Sequence, residues 1–336
     1  MYKKMKNWVK IINGLMGIAM AASALLAQAD YSTHPEAKTF IDDMVKRNGF
    51  DRAEITSWLS KAEKKQAILD AISKPAEQAK PWRDYRTIFL TPVRIENGVK
   101  FWKENQATLA RAESTYGVPA EIIVAILGVE TGYGKFTGGY FVLDALSTLA
   151  FDYPPRAPFF RQELENYFLL VREQHHSPME FKGSYAGAMG YGQFMPSSYR
   201  KWAVDFDGDS FTDIWKNPVD AIGSVGNYFK EHGWKTGQPV VVAAHTDDPS
   251  QVEQLNAVKV PDVSVDKWRE RGINPTSWLP PTTLAIAIQF DGANGLEYWL
   301  GLHNFYVITR YNRSPMYAMA VYQLSQEIKL GMQRAN

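Results

Sequence analysis

The chain has 336 residues, 37 basic and 36 acidic side chains for a net charge of +1, and no cysteine. Disulfides, thiol catalysis, thiolate metal sites and a lipid carried on a cysteine are excluded, and no basic surplus is available for nucleic acid. The length allows a large core and about two domains with accessory pieces.

At the amino terminus Lys3, Lys4, Lys6 and Lys10 precede an apolar run from Ile11 to Ala27, and Ala27-Gln28-Ala29 has the small-x-small form of a cleavage signal. The run falls short of the ~20 residues that span a bilayer and is interrupted by Asn13. Residues 1–29 are therefore expected to be a secretory signal removed before Asp30, leaving a soluble periplasmic protein without a stable membrane anchor. Taking the four leader lysines from the +1 of the whole chain leaves −3, which again disfavours nucleic acid. Aromatic residues make up 13% of the chain, with 10 Trp and 17 Tyr. Such side chains stack on sugar rings as readily as they fill a core.

From 30 to 112, apolar positions such as Phe40, Met44, Ile55, Trp58, Leu59, Ile68, Leu69 and Ile72 alternate with charges at helical spacing, which predicts a small N-terminal helical domain. Within it, the stretch Pro81 to Pro92, bounded by proline at both ends, reads as an irregular or briefly helical connector. Residues 113–235 form a second helical block, with the run Pro119 to Glu130, a helix near Phe160 to Glu173, another after Pro196 and one from Pro218 to His232. Between 236 and 300, Val240 to Ala244, scattered prolines and Leu284 to Ile288 suggest the short strands of a small β-rich insertion. Residues 301–336 return to helix from Pro315 to Met332 and are expected to pack back on the central block. The fold class is mainly α, of the α+β kind.

Glu130 ends an otherwise apolar helix and is followed at once by the turn Thr131-Gly132-Tyr133-Gly134. Proline at 119 suits the first helical position. Ile122, Ile126 and Glu130 share one face, so a carboxyl group is carried against a buried apolar surface. Desolvation and the negative helix end both disfavour the anion, so the proton is held closer to neutral pH. Such an acid can protonate a leaving group; a glutamate at a solvated helix end would do nothing of the kind.

Three further stretches carry polar chemistry. In Gly183 to Pro196 the small residues allow close backbone approach, while Ser184, Tyr191 and Gln193 offer neutral hydrogen-bond groups suited to a sugar, although tight packing alone would also explain the glycines. In Asp205 to Asp213, carboxylates at Asp205, Asp207 and Asp209 with the Phe211 carbonyl reproduce the first half of an EF-hand loop suited to Ca²⁺. The second half departs from that pattern: Ser210 stands where the central glycine belongs and Lys216 where the closing glutamate belongs. Asp220 or Asp213 is left to close the site; without closure the stretch is an acidic turn. In Asn304 to Tyr317, Tyr311 and Tyr317 fit either a groove wall or the core.

Together, Gly128-Val129-Glu130-Thr131, Gly187 to Ser198, Asn217 to Trp234 and Asn304 to Asn312 closely resemble the lytic murein transglycosylase B family, over most of the chain. The resemblance implies a lysozyme-like catalytic core with a helical domain, a small β domain and a calcium loop. It also implies cleavage of peptidoglycan glycan strands between N-acetylmuramic acid and N-acetylglucosamine, without water, to leave 1,6-anhydromuramoyl ends. Residue by residue it makes Glu130 the acid/base, places Ser184, Gln193, Tyr228, Tyr311, Tyr317 and Tyr85 along the groove, and gives Asp205, Asp207, Asp209, Phe211 and Asp220 to calcium. At Tyr153-Pro154-Pro155-Arg156 the family often has two adjacent arginines; here Pro155 replaces the first, and Arg156 remains to meet a carboxylate. One carboxyl used twice suffices when the nucleophile is the sugar's own C6 hydroxyl. A water-using muramidase and a catalytically silent peptidoglycan-binding protein are the competing readings.

Overall fold

The computed structural model describes residues 30–73, 80–247 and 255–334. The expected signal segment, residues 1–29, lies outside them.

Helix starts follow local chemistry. α1 (Pro35–Asn48) has proline in its first turn and stops at Gly49, in the left-handed region. α2 (Arg52–Ser60) is capped by the Asp51 carboxylate, which accepts the Glu54 N–H. α3 (Gln66–Ser73) follows. The stretch read as an irregular or briefly helical connector holds a short helix, α4 (Trp82–Phe89), and Thr91 then caps α5 (Pro92–Glu104). α6 (Gln106–Tyr116) and α7 (Ala120–Thr131) meet at Gly117. Next come β1 (Tyr140–Phe141), α8 (Val142–Asp152), α9 (Ala157–Glu173), β2 (Lys182–Gly183), α10 (Pro196–Trp202) and α11 (Pro218–Glu231).

α7 is the axis of the molecule, with α5, α6, α11 and α14 (Pro315–Arg334) packed around it. The helices of 30–112 do not gather into one bundle. α1 and α2 lay Phe40 and Trp58 against Phe168 of α9, and α3 packs on α8, whereas α4 and α5 pack on α14. Helical spacing reveals that each has an apolar face but not which partner covers it.

The β-rich segment is an antiparallel sheet of order β4 (Val263–Ser264), β6 (Leu284–Gly292), β7 (Gly295–Gly301), β3 (Val241–His245) and β5 (Asn274–Pro275), with α12 (Val265–Glu270) across one face. β6 is apolar on both faces and sits between two cores. Ile286, Ile288 and Phe290 point into the main core, while Ala285 and Ala287 meet Val265, Trp268 and Ile273 in a small second cluster. α4 joins sheet to core, Trp82 stacking on Phe290 at 4.9 Å. After β7 the chain forms α13 (His303–Tyr311), a helix the sequence reading did not assign. Among the described residues no single helix is long and apolar enough to cross a membrane; the pair α6 and α7 meets that length only across a 112° bend.

Candidate active site

Every α7 residue from Ala120 to Gly128 is buried. Pro119 is the cap rather than the first helical residue, with extended ψ of 141°. Beyond Glu130, Gly132, Tyr133 and Gly134 all take positive φ, at 59°, 64° and 84°. For tyrosine that conformation is strained. It is held because the Tyr133 hydroxyl donates to the Arg94 carbonyl at 2.9 Å and its ring stacks on Phe101. Gly98 and Gly128 make the room: a Cβ on either would lie 2.5 or 2.6 Å from that hydroxyl.

Glu130 keeps part of its surface open to solvent but is otherwise enclosed. Burial pushes its carboxyl up to about 7, against the opposing pull of the Tyr317 hydroxyl, which donates to Oε1 at 2.5 Å. Tyr317 is itself only 3% exposed. Burial, and then the charge of Glu130, push the phenols of Tyr311 and Tyr317 well up, so both stay protonated as donors. Tyr85 on α4 is raised by the same two influences, which brings the connector helix to the same carboxyl. Among the described residues no second carboxylate bonds to Glu130 or shifts it; burial and Tyr317 account for its state.

The loop after β2 is fixed to this helix end. Met189 and Phe194 exchange N–H···O bonds of 2.8 and 2.9 Å, and the Ser184 N–H donates to Ala188 at 2.8 Å. The Ser184 Oγ accepts the N–H groups of Ala186 and Ala188, which leaves its proton for an outside acceptor. Gln193, at φ 52°, spends its Nε2 on the carbonyls of Thr137 and Gly190, leaving its carboxamide oxygen for a ligand. The Tyr191 ring covers Gly134, where a Cβ would lie 2.1 Å from it. Thr131, next to Glu130 and 1% exposed, donates its hydroxyl to the Tyr191 carbonyl at 2.8 Å and accepts the Gly134 N–H at 2.9 Å. It was not among the expected site residues; its position beside Glu130 was the only signal. Tyr311 closes the other side, its hydroxyl on the Gly192 carbonyl at 2.5 Å.

Two expected groove residues stand elsewhere. Tyr228 is 7% exposed, gives its hydroxyl to the Arg310 carbonyl at 2.7 Å and meets the Tyr311 ring edge to face at 4.7 Å. It packs against Tyr311, and its hydroxyl proton is already spent on Arg310. Arg156 is exposed on the turn Pro154–Arg156, its guanidinium over Phe159 at 4.5 Å, and no contact among the described residues ties it to Glu130.

In the acidic loop, one carboxylate oxygen each from Asp205, Asp207 and Asp209 lie within 4.8 Å of one another, all on exposed residues. Asp205, Asp207 and Asp209 would hold one cation between them, and the hard oxygen set suits Ca²⁺. Asp205 also accepts the N–H groups of Gly208, Asp209 and Ser210, which curls the loop. Ser210 takes φ 76°, so the backbone adopts the glycine conformation although the residue is serine. Phe211 turns its carbonyl to the Asp213 N–H at 3.1 Å. Neither closing candidate faces the other three acids as a free group. Asp220 is fully buried, with Oδ1 on the Phe206 N–H at 2.7 Å and Oδ2 on the Asp213 N–H at 2.8 Å. Asp213 accepts from Trp215 and Lys216. Asp220 therefore anchors the loop to α11 rather than extending the acidic triad. The loop in turn reaches the site, the Ile214 carbonyl accepting the Tyr191 N–H at 2.9 Å.

Residues 32–326 match the family model described as the transglycosylase SLT domain. The membrane-bound lytic murein transglycosylase B of Escherichia coli (strain K12) is 46% identical over 310 residues, 90% of this chain and 84% of that protein. A solved soluble lytic transglycosylase from Pseudomonas aeruginosa is 53% identical with a TM-score of 0.85, over 88% of this chain and 99% of that one. An Escherichia coli lytic transglycosylase solved in complex with calcium is 45% identical with a TM-score of 0.83, over 90% of this chain and 95% of that one. With the matched model spanning nearly all the described residues, the chain belongs to the lytic murein transglycosylase B family.

Proposed function

We propose that this protein is a peptidoglycan lytic transglycosylase in which Glu130 serves first as acid and then as base. The observation that carries the reading is the enclosed Glu130 carboxyl, pushed by burial up to about 7, with no second carboxylate bonded to it or shifting it among the described residues. Protonated Glu130 gives its proton to the oxygen linking N-acetylmuramic acid to N-acetylglucosamine as positive charge develops at the muramic C1. The carboxylate then takes the proton of the same sugar's C6 hydroxyl, whose oxygen bonds to C1. The leaving strand departs with a new hydroxyl, the ring closes as a 1,6-anhydro sugar, and Glu130 is protonated again. Most glycosidases that use water place a second carboxylate about 5–5.5 Å away for retention or farther for inversion, and this site has no such partner among the described residues.

Tyr317 orients the carboxyl by its hydrogen bond, while Tyr85 and Tyr311 bound the pocket. Ser184 offers a donor and Gln193 an acceptor to the sugar's hydroxyl and acetamido groups. Ca²⁺ held by Asp205, Asp207 and Asp209 would neutralise their mutual repulsion and stiffen the loop that carries Ile214. The leader at residues 1–29 directs the protein to the periplasm, where its glycan substrate lies. Mass analysis of fragments released from purified sacculi tests the reaction: anhydro ends, lighter by one water than reducing ends, are expected. Reducing ends would make the protein a hydrolase, and no release would make it a binding protein.

A further inference from the structure

α4 carries Tyr85 to the site, yet little within α4 holds it there. The helix has 8 residues and no side-chain cap at Pro81. Isolated helices of fewer than ~12 residues are marginal in water, so its place is set by what its apolar stripe touches. Trp82, Tyr85 and Phe89, three and then four residues apart, share one face, while Arg83, Asp84 and Thr87 are exposed.

That face begins at the sheet and leads to the catalytic carboxyl. The Trp82 ring, 1% exposed, stacks on Phe290 of β6 at 4.9 Å with 29° between the planes. Its Nε1 is buried with no partner among the described residues, so the ring is placed by its faces and not by a hydrogen bond. Tyr85 lies next on the helix, its ring centre 6.3 Å from Trp82 and 5.3 Å from Phe89. Its phenol feels the charge of Glu130, and α4 packs on α14, which brings Tyr317 to the same carboxyl. Phe290 is itself fixed: it is 5% exposed, on a strand paired with β7 from Ile286 to Gly292. Arg83 also reaches Asp291 at 2.5 Å, but both are exposed, and a pair of that kind adds little.

We propose that Phe290 and Trp82 are positioning residues for the reaction: through their stack the β sheet holds α4 so that the Tyr85 ring covers Glu130 and keeps water from its carboxyl. The small β-rich segment thereby serves the chemistry from outside the pocket. The assignment rests on the reading of Glu130 as the acid and adds the element that keeps that acid enclosed.

The test is the alkaline limb of kcat/KM against pH on glycan strands, which reports the protonation of Glu130 in the free enzyme. Phe290→Ala removes the stack from the sheet side. The limb is expected to move down by about one pH unit, because water reaching the carboxyl favours its anion. Tyr85→Ala should move it at least as far, and the two changes together no farther than Tyr85→Ala alone, since both act through one ring. Phe50→Ala is the control: that ring is 4% exposed and meets Trp58 of α2 at 5.8 Å and the Arg172 guanidinium of α9 at 3.8 Å, so stability falls while the limb stays. If Phe290→Ala does not fold, Phe290→Leu reads the same limb, with a move of about half a pH unit. A limb that stays put or moves up in the folded Phe290 variant or in Tyr85→Ala, a further move on combining them, or an equal move in Phe50→Ala overturns the proposal. A wild-type protein with no alkaline limb near 7 would instead strike the assignment of Glu130.

Discussion

Glu130 is held between two opposing influences, and the sign of each can be tested separately. Its carboxyl sits at about 7 in the fold against an ordinary value of 4.5. The fold therefore favours the protonated form, a contribution fully present below pH ~4.5 and lost as the pH rises through ~7. Glu130→Gln is permanently neutral and nearly isosteric. It is expected to abolish cleavage while glycan binding survives, and at about pH 8 to be more stable than wild type by on the order of 2 kcal/mol, after a discount for partial exposure. Urea unfolding at acid and alkaline pH reads the difference, which should vanish below pH ~4.5; identical pH profiles for the two proteins would show that the carboxyl is not held protonated. Tyr317 acts the other way, since its hydroxyl favours the carboxylate. Tyr317→Phe should move the alkaline limb of kcat/KM upward by about one pH unit, because Glu130 then keeps its proton longer. A limb that stays put or moves down would mean that the phenol does not stabilise the anion.

At the scale of elements, the site is a helix end fastened to a loop, and Thr131 is the fastening. Its hydroxyl serves both the Tyr191 carbonyl and the Gly134 N–H in a buried place. Thr131→Val keeps the shape but leaves both groups unpaired, so a loss of about 2 kcal/mol in stability and a fall in kcat are expected, with Thr131→Ser restoring both. Unfolding and steady-state rates check this, and full activity in the valine variant would detach the loop from catalysis. This residue also marks where the sequence stops being legible. The apolar stripe beneath Glu130 and the glycines around it are local patterns, read directly from spacing, whereas the partner of Thr131 lies 60 residues away. Tyr228 fails for the same reason: matching residues identified it, but only packing shows that its hydroxyl is already taken by Arg310. The acidic loop is legible in its donors yet not in its closure, because Asp220 turns inward to backbone amides. Ser210 holds a positive φ there that glycine adopts without strain. Ser210→Gly is expected to raise stability by about 1 kcal/mol, measured by thermal unfolding, and destabilisation would mean that the serine side chain contributes something the backbone angle does not.

Across the whole molecule, the main core runs from α1 to α14 and takes in one face of the sheet, so a local event in the acidic loop is felt by the cooperative unit. The route is visible: buried Asp220 ties the loop to α11, and the Ile214 carbonyl ties it to Tyr191. Helical periodicity and the switch to strand texture made the elements legible, but the division of the first five helices between α9, α8 and α14 depends on which apolar faces meet, a choice periodicity does not encode. If one cation binds the three exposed carboxylates of the folded state and not the unfolded chain, mass action stabilises the fold by about 2.7 kcal/mol at a Ca²⁺ concentration a hundredfold above Kd. For a chain of this size that corresponds to a rise of roughly 3–6 °C in thermal midpoint, reversed by chelator. Asp207→Asn combined with Asp209→Asn removes two of the three charges from the triad and should abolish the rise. Mg²⁺ should reproduce little of it, because it demands a smaller octahedral shell and gives up its waters reluctantly. A midpoint indifferent to Ca²⁺ in the wild-type protein would reduce the loop to an acidic turn held by its own backbone amides, and would leave the positioning of Tyr191 to Ile214 and Thr131 alone.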